Sequence, residues 1–335
     1  MAGAAHGGAE LFFERMTVAL AQSGETVLPV IRPDTERMAK LRAAGLSPVG
    51  LRFGGPLDAM TRRRAGQVLR NFRAEVAIAW MSRAAYHAPR GDWTLVGRLG
   101  GYYDLKYFRR CDHLVGNTRD IVRWVSGQGW PADRVHYLPN FVADFAGVVP
   151  ADRAGLGVPD GVPLILALGR LHAVKGFDTL IRAMTRISDA HLVIAGEGPE
   201  RAALEALIAG AGLQDRVHLA GWRGDTGELL KAADVFVSSS RHEPLGNMIL
   251  EAFSASVPVI ATAAEGPREI IGEGDDGVLV PIDDADALAS TITGVLHDSD
   301  RADTLARAGR MRFEAEFSQE VVTAAWHDFL RKVKP

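Results

Sequence analysis

Two cations share one short loop in the second half of the chain. Arg170 and Lys175 lie in residues 168–176, between an apolar run typical of a buried strand and a helical pattern. Open α/β sheets bind ligands at the carboxyl ends of their strands, which is where such a loop lies. An arginine fork and a lysine point charge together suit a diphosphate. The alternative is a solvated basic loop. The segment is neither a P-loop nor a dinucleotide fingerprint, since it matches the pattern of neither motif.

Two acids follow, separated by seven residues. Glu243 comes after the apolar run Val235–Ser238, and Glu251 lies on the next helical pattern. Carboxylates accept hydrogen bonds, so Glu251 could bind ribose hydroxyls and Glu243 the hydroxyls of a sugar. The segment 246–248 between them would begin the helix, with its N–H groups facing an anion. Each acid alone could be a surface residue, but together with the basic loop they predict one binding site.

Two glycine-rich turns are weaker candidates. Gly196 and Gly198 close one predicted strand and open the next helix, so a base or ribose could approach the backbone. Gly7 and Gly8 lie in the turn His6–Glu10, ahead of the first helical pattern, where a helix N-terminus could hold a phosphate. The segment Gly196–Gly198 could instead be a plain strand–turn–helix connection, and most Gly-Gly turns such as Gly7-Gly8 are only turns.

A scaffold of alternating strands and helices would position these residues. The predicted strands of the second half are Pro163–Leu168, Leu192–Ala195, Val217–Ala220, Val235–Ser238, Val257–Ala261 and Val278–Val280. The predicted helices between them are Phe177–Ile187, Glu200–Ala211, Thr226–Ala233 and Met248–Ala255. This alternation predicts an α/β fold with a parallel sheet covered by helices on both faces.

The first half shows the same alternation with less contrast. Its predicted strands are Thr26–Val30, Val49–Phe53, Val76–Ala79, His113–Val115 and Val135–Leu138, and its predicted helices are Ala9–Gln22, Asp34–Ala44, Leu57–Phe72 and Thr118–Gly127. We expect one domain over residues 1–149, a second over 150–316, and a final helix within 317–335, with the linker in the Pro- and Gly-containing stretch 141–159. A buried strand normally precedes a glycine turn such as 6–10, so we expect most of that strand to be missing.

Composition excludes several classes of protein. The 335 residues are 47% hydrophobic and 24% charged, which excludes disorder and collagen, and no apolar run approaches the roughly 18 residues of a membrane span. The single cysteine, Cys111, excludes an intramolecular disulfide and a thiolate zinc cluster. Residues 1–150 contain 20 Lys and Arg against 13 Asp and Glu, whereas residues 151–335 contain 18 against 28. The basic half could bind an anionic partner, or the difference could reflect only an uneven distribution of surface charge.

The motifs resemble those of the retaining family 4 glycosyltransferases, also called glycosyl transferases group 1, which have the GT-B fold. The similar segments are Gly169-Arg170 through Lys175-Gly176, Gly196-Glu197-Gly198-Pro199 and Glu243-x7-Glu251, together with Gly7–Glu10 and Leu138-Pro139-Asn140. The resemblance covers almost the whole chain. It implies two Rossmann-like domains facing a cleft, and it points to bacterial lipopolysaccharide and exopolysaccharide enzymes.

This resemblance implies a role for each matching residue. Arg170 and Lys175 would hold the donor diphosphate and stabilise its charge as it leaves, with Glu243 facing the transferred sugar. Glu251 would bind ribose, and Gly8 would contact the phosphate from the other domain. The other donor-binding residues would be Gly169, Gly196, Glu197, Gly198, Trp222, Gly246, Asn247, Met248 and Ile249. The implied reaction is transfer from a UDP- or GDP-linked sugar with retention and without a metal or other cofactor.

The acceptor side departs from the family pattern. Many members carry a histidine just after the fourth strand of the first domain, where this chain has Ala79–Arg83. Ser82 or Arg83 could take that place, whereas His87 is displaced and is better interpreted as a loop histidine. Arg98 precedes a glycine and tyrosine loop that could touch an acceptor sugar or pack locally. The arginines of residues 61–73 could face an anionic membrane or only water.

We expect a glycolipid or oligosaccharide acceptor and no nucleic-acid partner. We also expect a cytoplasmic location, with contact to the inner face of the cytoplasmic membrane as a further possibility. A nucleotide-sugar epimerase of the same fold is one alternative, and it would need no acceptor. An inactive sugar-nucleotide-binding or scaffolding protein is another, and it would bind the donor without turnover. The sequence does not identify the donor base, the sugar or the linkage.

Overall fold

The computed structural model describes residues 1–3, 7–55, 58–272 and 274–335, which form two compact units. The first unit consists of Met1–Phe141 and Gln319–Pro335, and the second of Val142–Ser318. The second unit begins earlier than the sequence predicts, because Val142 belongs to its buried core and Phe145 packs against that core. His6 and Leu57, from a predicted turn and a predicted helix, lie outside the described residues.

The described part of the first unit contains two parallel sheets. In one, β1 (Val30–Ile31) pairs with β2 (Val49–Gly50). The other contains, in spatial order, β3 (Val76–Trp80), β4 (Thr94–Leu99), β5 (His113–Gly116) and β6 (Val135–Tyr137). The predicted strands near residues 26 and 49 were too long, since only two residues of each region pair.

The described part of residues 1–141 contains five α-helices, of which the first precedes β1: α1 (Gly8–Gln22), α2 (Thr35–Ala43), α3 (Ala59–Phe72), α4 (Met81–His87) and α5 (Arg119–Gly127). The side chains of Asp34, Asp58 and Thr118 each accept a hydrogen bond from the backbone N–H three residues on, so they cap α2, α3 and α5. The sequence did not predict α4. It begins directly after β3 at Met81, whose φ of 67° is unusual for a residue other than glycine.

The second unit contains one six-stranded parallel sheet. Its strands are β7 (Leu164–Leu168), β8 (His191–Ala195), β9 (Val217–Gly221), β10 (Val235–Ser238), β11 (Val259–Thr262) and β12 (Val278–Val280). The spatial order is β12-β11-β10-β7-β8-β9. Every residue of β7 and of β8 is buried, as expected for central strands covered on both faces. The helices are α6 (Phe177–Met184), α7 (Arg201–Gly210), α8 (Thr226–Ala232), α9 (Asn247–Ser254), α10 (Glu265–Ile270), α11 (Ala285–Leu296) and α12 (Ser299–Arg312).

The last helix, α13 (Gln319–Val333), belongs to the first unit. Trp326 on this helix is fully buried, and its ring stacks on that of Trp80, with 6.2 Å between the ring centroids. Val322 and Phe329 join the same core, which also contains Phe12. Among the described residues, no helix combines the length and the apolar character that crossing a membrane requires.

Candidate active site

The strand order places the carboxyl ends of β7 and β10 side by side. From β7 the chain continues to β8 and β9 on one side of the sheet, whereas β10 is followed by β11 and β12 on the other. Ligands of open α/β sheets bind at such a switch point, in the crevice outside the strand ends. The loops that leave β7 and β10 carry the basic loop and Glu243 of the predicted site.

Lys175 and Glu243 are in contact at this point. The loop after β7 ends in a single 3-10 turn, Ala173–Lys175, and the Nζ atom of Lys175 forms an ion pair with Oε2 of Glu243. Gly176 follows with a φ of 61°, and a Cβ there would collide with the carbonyl oxygen of Ser239. Only glycine therefore allows the two loops to pack this closely.

The pair retains capacity for a ligand. Both side chains are partly shielded, with exposed fractions of 22% for Lys175 and 17% for Glu243. An ammonium has three protons and a carboxylate about four acceptor positions, so one mutual contact leaves both groups able to bind more partners. The pair can therefore offer positive charge to an anion and acceptor oxygens to hydroxyl groups.

The start of α10 fixes the backbone of Glu243. Its N–H donates to Oε2 of Glu265 at 3.3 Å, and its carbonyl oxygen accepts from the N–H of Gly266 at 2.7 Å. The other carboxylate oxygen of Glu265 lies 3.0 Å from Nδ1 of His242. Glu243 is thus held by its main chain, which leaves its side chain to Lys175.

Arg241 holds the basic loop, a role that the sequence analysis missed. Its guanidinium donates to the carbonyl oxygen of Ala173 at 2.7 Å, to Asp178 at 2.8 and 2.9 Å, and to Asp283 at 2.7 Å. Its backbone N–H donates to the carbonyl oxygen of Val174 at 2.8 Å. Burial raises the pKa of Asp178, but hydrogen bonds from Arg241 and a neighbouring arginine outweigh this and hold that pKa at about 2. Arg241 therefore positions the turn that presents Lys175.

Helix α9 carries the second acid of the predicted pair. Gly246 precedes the helix with a φ of 96°, and Asn247 and Met248 are half-buried in its first turn. Ile249 is fully buried, and Glu251, two residues further, has an exposed fraction of only 4%. Burial of a carboxylate requires hydrogen-bond donors, so Glu251 has a constrained environment rather than a solvated one.

Close packing of the loops after β7 and β8 explains why glycine is needed at positions 196 and 198. A Cβ at Gly196 would collide with the carbonyl oxygen of Gly169, and a Cβ at Gly198 would collide with that of Leu171. The N–H of Gly169 also donates to the carbonyl oxygen of Ala195 at 3.1 Å. The two loops therefore pack backbone against backbone, and a ligand contact of these glycines stays a prediction.

Three of the predicted site residues of this unit are exposed. Arg170 lies at the start of the basic loop with its side chain in solvent. Glu197 is paired with Arg201 on α7, with 2.7 Å between Oε1 and Nη2. Trp222, just after β9, has an exposed fraction of 77%. The structure thus joins Lys175 and Glu243 directly and leaves these three at the surface.

In the first unit, Gly8 is the first residue of α1, and Gly7 precedes it. Ser82 and Arg83 lie on α4, immediately after β3, where Ser82 is half-buried and Arg83 is exposed. Ser82 and Arg83 therefore lie at the carboxyl end of β3, and ligands of parallel sheets bind at this edge.

The structure corrects the placement of His87 and decides between the two alternatives for Arg98. His87 is not a loop residue: it ends α4, is 2% exposed, and its Nε2 lies 3.1 Å from the carbonyl oxygen of Gly54. Arg98 lies inside β4, is 1% exposed, and donates a hydrogen bond to Asn140. Its guanidinium carbon is 5.1 Å from the ring centroids of both Phe12 and Trp80. Burial lowers the pKa of Arg98 to about 10. The long side chain of Arg98 thus packs within the unit, which is the second of the two alternatives that the sequence left open.

Comparison with known proteins identifies the family. The family model described as glycosyl transferases group 1 matches residues 148–312. The lipopolysaccharide core biosynthesis glycosyltransferase LpsE of Rhizobium meliloti is 37% identical over 333 residues, which cover 97% of this chain and 96% of LpsE. The chain belongs to the glycosyl transferases group 1 family.

Solved structures agree on the fold of this glycosyltransferase. A glycosyltransferase from Rickettsia africae has a TM-score of 0.87 at 18% identity, covering 99% of this chain and 97% of that one. The Anabaena protein HepE, solved with UDP-glucose, has a TM-score of 0.83 at 20% identity and covers 99% and 98%. Both units are therefore parts of a GT-B fold, as the sequence motifs predicted.

Proposed function

We propose that this glycosyltransferase transfers a sugar from a nucleoside-diphosphate donor to a hydroxyl group of a lipopolysaccharide core acceptor, with retention of the anomeric configuration. The contact between Lys175 and Glu243 at the switch point carries the donor part of this proposal. The extended similarity to LpsE supports the acceptor part.

In the proposed reaction, the bond between the anomeric carbon and the diphosphate oxygen breaks, and a bond from the acceptor oxygen forms on the same face. The acceptor loses its proton, and the nucleoside diphosphate leaves with the bonding electrons. Lys175 and Arg170 stabilise the negative charge that develops on the leaving group. Glu243 accepts hydrogen bonds from the transferred sugar, and Glu251 accepts them from the ribose.

We further propose that these cations act without a metal ion, since two basic side chains and the N-terminus of α9 can face the same diphosphate. Chelation with EDTA would then leave the transfer rate unchanged. A rate that falls on chelation and returns with added Mg²⁺ or Mn²⁺ would contradict this part alone.

The acceptor and the location form a further part of the proposal. Arg63, Arg64 and Arg70 are exposed on α3, next to the 55%-exposed Met60. Basic side chains beside an exposed apolar one fit an anionic membrane surface, such as the cytoplasmic face that carries a glycolipid precursor. Sedimentation with anionic vesicles, but not with neutral ones, and its loss on changing the three arginines to glutamine, would support membrane contact.

The decisive experiment has two steps. First, UDP, GDP and ADP are compared by thermal shift, because a ligand that binds only the folded state raises its melting temperature. Second, the corresponding donors are incubated with truncated lipopolysaccharide cores, and the product is analysed by mass spectrometry and by NMR of the new anomeric proton. An inverted linkage would refute retention. Donor conversion without acceptor would favour an epimerase, and binding without turnover on any core would favour an inactive binding protein.

A further inference from the structure

Two arginines of the first unit converge on one backbone oxygen. Nη2 of Arg62, on α3, donates to the carbonyl oxygen of Tyr86 at 2.8 Å, and Nη1 of Arg110 donates to the same oxygen at 3.1 Å. Tyr86 lies in the last turn of α4, and Arg110 lies in the connection between β4 and β5. Since both nitrogens contact one atom, the two guanidinium groups are close neighbours.

Capping of α4 accounts for only part of this arrangement. Arginines commonly bind the last carbonyl groups of a helix, whose C-terminus carries about half a negative charge, but here two full positive charges meet it. In the part of the chain that the structure describes, neither Arg62 nor Arg110 forms an ion pair with a carboxylate. The acid nearest to Arg110 in the sequence, Asp112, instead accepts from the backbone N–H of Leu95 at 2.8 Å. The end of α4 therefore has an excess of positive charge.

The guanidinium of Arg62 also has an unused donor. Its Nε atom is buried and has no hydrogen-bond partner among the described residues. Its guanidinium carbon lies 5.6 Å from the centre of the Tyr86 ring, so an aromatic ring rather than an acid covers it. Burial, and then the charge on Arg110, lowers the pKa of Arg62, because both disfavour the charged form. A bound anion would relieve both the unpaired donor and the repulsion between the two cations.

A third cation adjoins the pair and is open to solvent. Nε of Arg90 donates to the backbone carbonyl oxygen of Arg110 at 3.1 Å, and the side chain of Arg90 is exposed. Arg62 and Arg110 are only half-buried, so an anion can reach them. The planar forks of guanidinium groups suit the oxygens of a phosphate. A phosphate monoester carries about −1.5 to −2 charges at pH 7, which matches two guanidinium groups better than the single charge of a diester, a sulfate ester or a carboxylate.

We propose that Arg62 and Arg110, with Arg90 beside them, form a binding site for a terminal phosphate monoester group. The oxygens of this group accept hydrogen bonds from both guanidinium groups and neutralise their charge. The site is distinct from the proposed donor site, whose Lys175 and Glu243 belong to the second unit, and it does not depend on the proposed function. A lipid head group and a phosphorylated sugar both present such a phosphate, and these two sources can be separated by experiment.

Titration calorimetry with glucose 6-phosphate tests the site in a Lys175→Ala background, which weakens any binding at the proposed donor site. Arg62→Gln and Arg110→Gln should each lower the affinity at least about tenfold, because each removes charge-assisted hydrogen bonds to the phosphate. Arg109→Gln is the matched control and should leave the affinity unchanged, since Arg109 is exposed and its charge acts on Asp104. Equal affinities in all three variants, or binding that Lys175→Ala alone abolishes, would overturn the proposal.

A second comparison keeps both arginines and so does not depend on whether their variants fold. Glucose 6-sulfate is similar in shape to glucose 6-phosphate but carries a single negative charge. The phosphate should therefore bind at least about tenfold more tightly at pH 7.5, and this preference should shrink at pH 5, where the phosphate also carries about one charge. Equal affinities for the two esters at pH 7.5 would contradict the proposal. If the arginines only cap α4, their replacement should lower the melting temperature without changing the affinity for the phosphate.

Vesicles identify the source of the phosphate. Phosphatidylcholine vesicles with one fifth phosphatidic acid present a monoester, whereas the same vesicles with one fifth phosphatidylglycerol present a diester. Stronger sedimentation with phosphatidic acid, lost in Arg62→Gln but not in Arg109→Gln, would support the site and assign it to a lipid. Binding of glucose 6-phosphate without a preference for phosphatidic acid would support the site and assign it to a phosphorylated sugar. Failure of both to bind would overturn the proposal.

Discussion

Lys175 and Glu243 lie 68 positions apart in the chain and form an ion pair where the loops after β7 and β10 meet. The pair is only partly shielded from water, so its contribution to stability is small, and stability alone is a weak reason for it. Its surroundings give a better reason, since Arg241 fixes the loop of Lys175 and the start of α10 fixes the backbone of Glu243. In the proposed mechanism, the pair exchanges its mutual contact for contacts with the donor.

Replacing the lysine removes the charge proposed to face the diphosphate. We expect Lys175→Ala to lower kcat/KM for sugar transfer by about 100-fold or more and to abolish most of the nucleotide-induced thermal shift. Arg307→Ala, a change of an exposed cation on α12, is the control and should alter neither quantity. A Lys175→Ala enzyme with more than half of the original rate would remove the lysine from the proposed mechanism.

Replacing Glu243 separates sugar recognition from diphosphate binding. Glu243→Gln keeps the size of the side chain but removes the negative charge that pairs with Lys175. The neutral amide also accepts weaker hydrogen bonds from sugar hydroxyls than a carboxylate does. We expect the thermal shift by the nucleoside diphosphate to persist, while kcat falls at least tenfold. Loss of diphosphate binding with an unchanged kcat would reverse the roles assigned to the two residues.

Arg241 should act through the position of Lys175 rather than by touching the donor. We expect Arg241→Gln to raise KM for the donor about tenfold, because the turn Ala173–Lys175 loses its main anchor. Arg241→Lys should restore only part of this affinity, since an ammonium cannot reach the same set of acceptors. Arg182→Gln is the matched control, because Arg182 also pairs with Asp178 but is not bonded to the turn. If both glutamine variants change KM equally, Asp178 and not the turn is responsible.

The role proposed for Glu251 can be tested with the donor's own hydroxyl groups. If this carboxylate accepts from the ribose, the original enzyme should prefer ribonucleotide donors over 2′- and 3′-deoxy donors. In Glu251→Gln this preference should shrink at least fivefold, as measured by the ratio of kcat/KM values. A preference that stays intact would place the ribose elsewhere.

The first unit should lose stability in mild acid. His113 on β5 and His136 on β6 are in contact, with 3.0 Å between Nδ1 and Nε2. Burial, and then the charge of His113, lowers the pKa of His136 to about 4. The fold therefore favours the neutral ring, and its stability should be complete above about pH 6.5 and decline as the pH falls from 6.5 towards 4.

Calorimetry between pH 7.5 and 5 provides the measurement. The fall in melting temperature should be smaller in His136→Gln than in the original chain, because the glutamine cannot be protonated. His242→Gln, which changes an exposed histidine, should leave the fall unchanged. Identical pH profiles for all three proteins would rule out the pair as the cause.

The second unit was largely predictable from sequence because its strands are short apolar runs buried on both faces. Val235–Ser238 and Val278–Val280 match the predicted strands residue for residue. The proximity of Lys175 and Glu243 could also be predicted from the sequence, since the loops that carry them follow neighbouring parallel strands. The contacts of Arg241 were not, because they join loops from three strands and no local spacing encodes them.

The first unit was less predictable because its core contains residues that local patterns assign to the surface. Arg98 and Gly97 interrupt the apolar run of β4, yet Arg98 is buried between aromatic rings from distant parts of the chain. A Cβ at Gly97 would lie 2.6 Å from the ring of Phe108, so the missing side chain makes room for that ring. The burial of His87 likewise depends on Gly54, which lies 33 positions away.

The burial of Trp326 against Trp80 affects the order in which the two units can complete their cores during synthesis. During synthesis, Gln319–Pro335 leaves the ribosome only after Val142–Ser318, although it packs in the unit that contains Met1–Phe141. All residues of Val142–Ser318 emerge before that moment. The second unit therefore has all of these residues available first, and the first unit cannot close its core until Gln319–Pro335 has emerged.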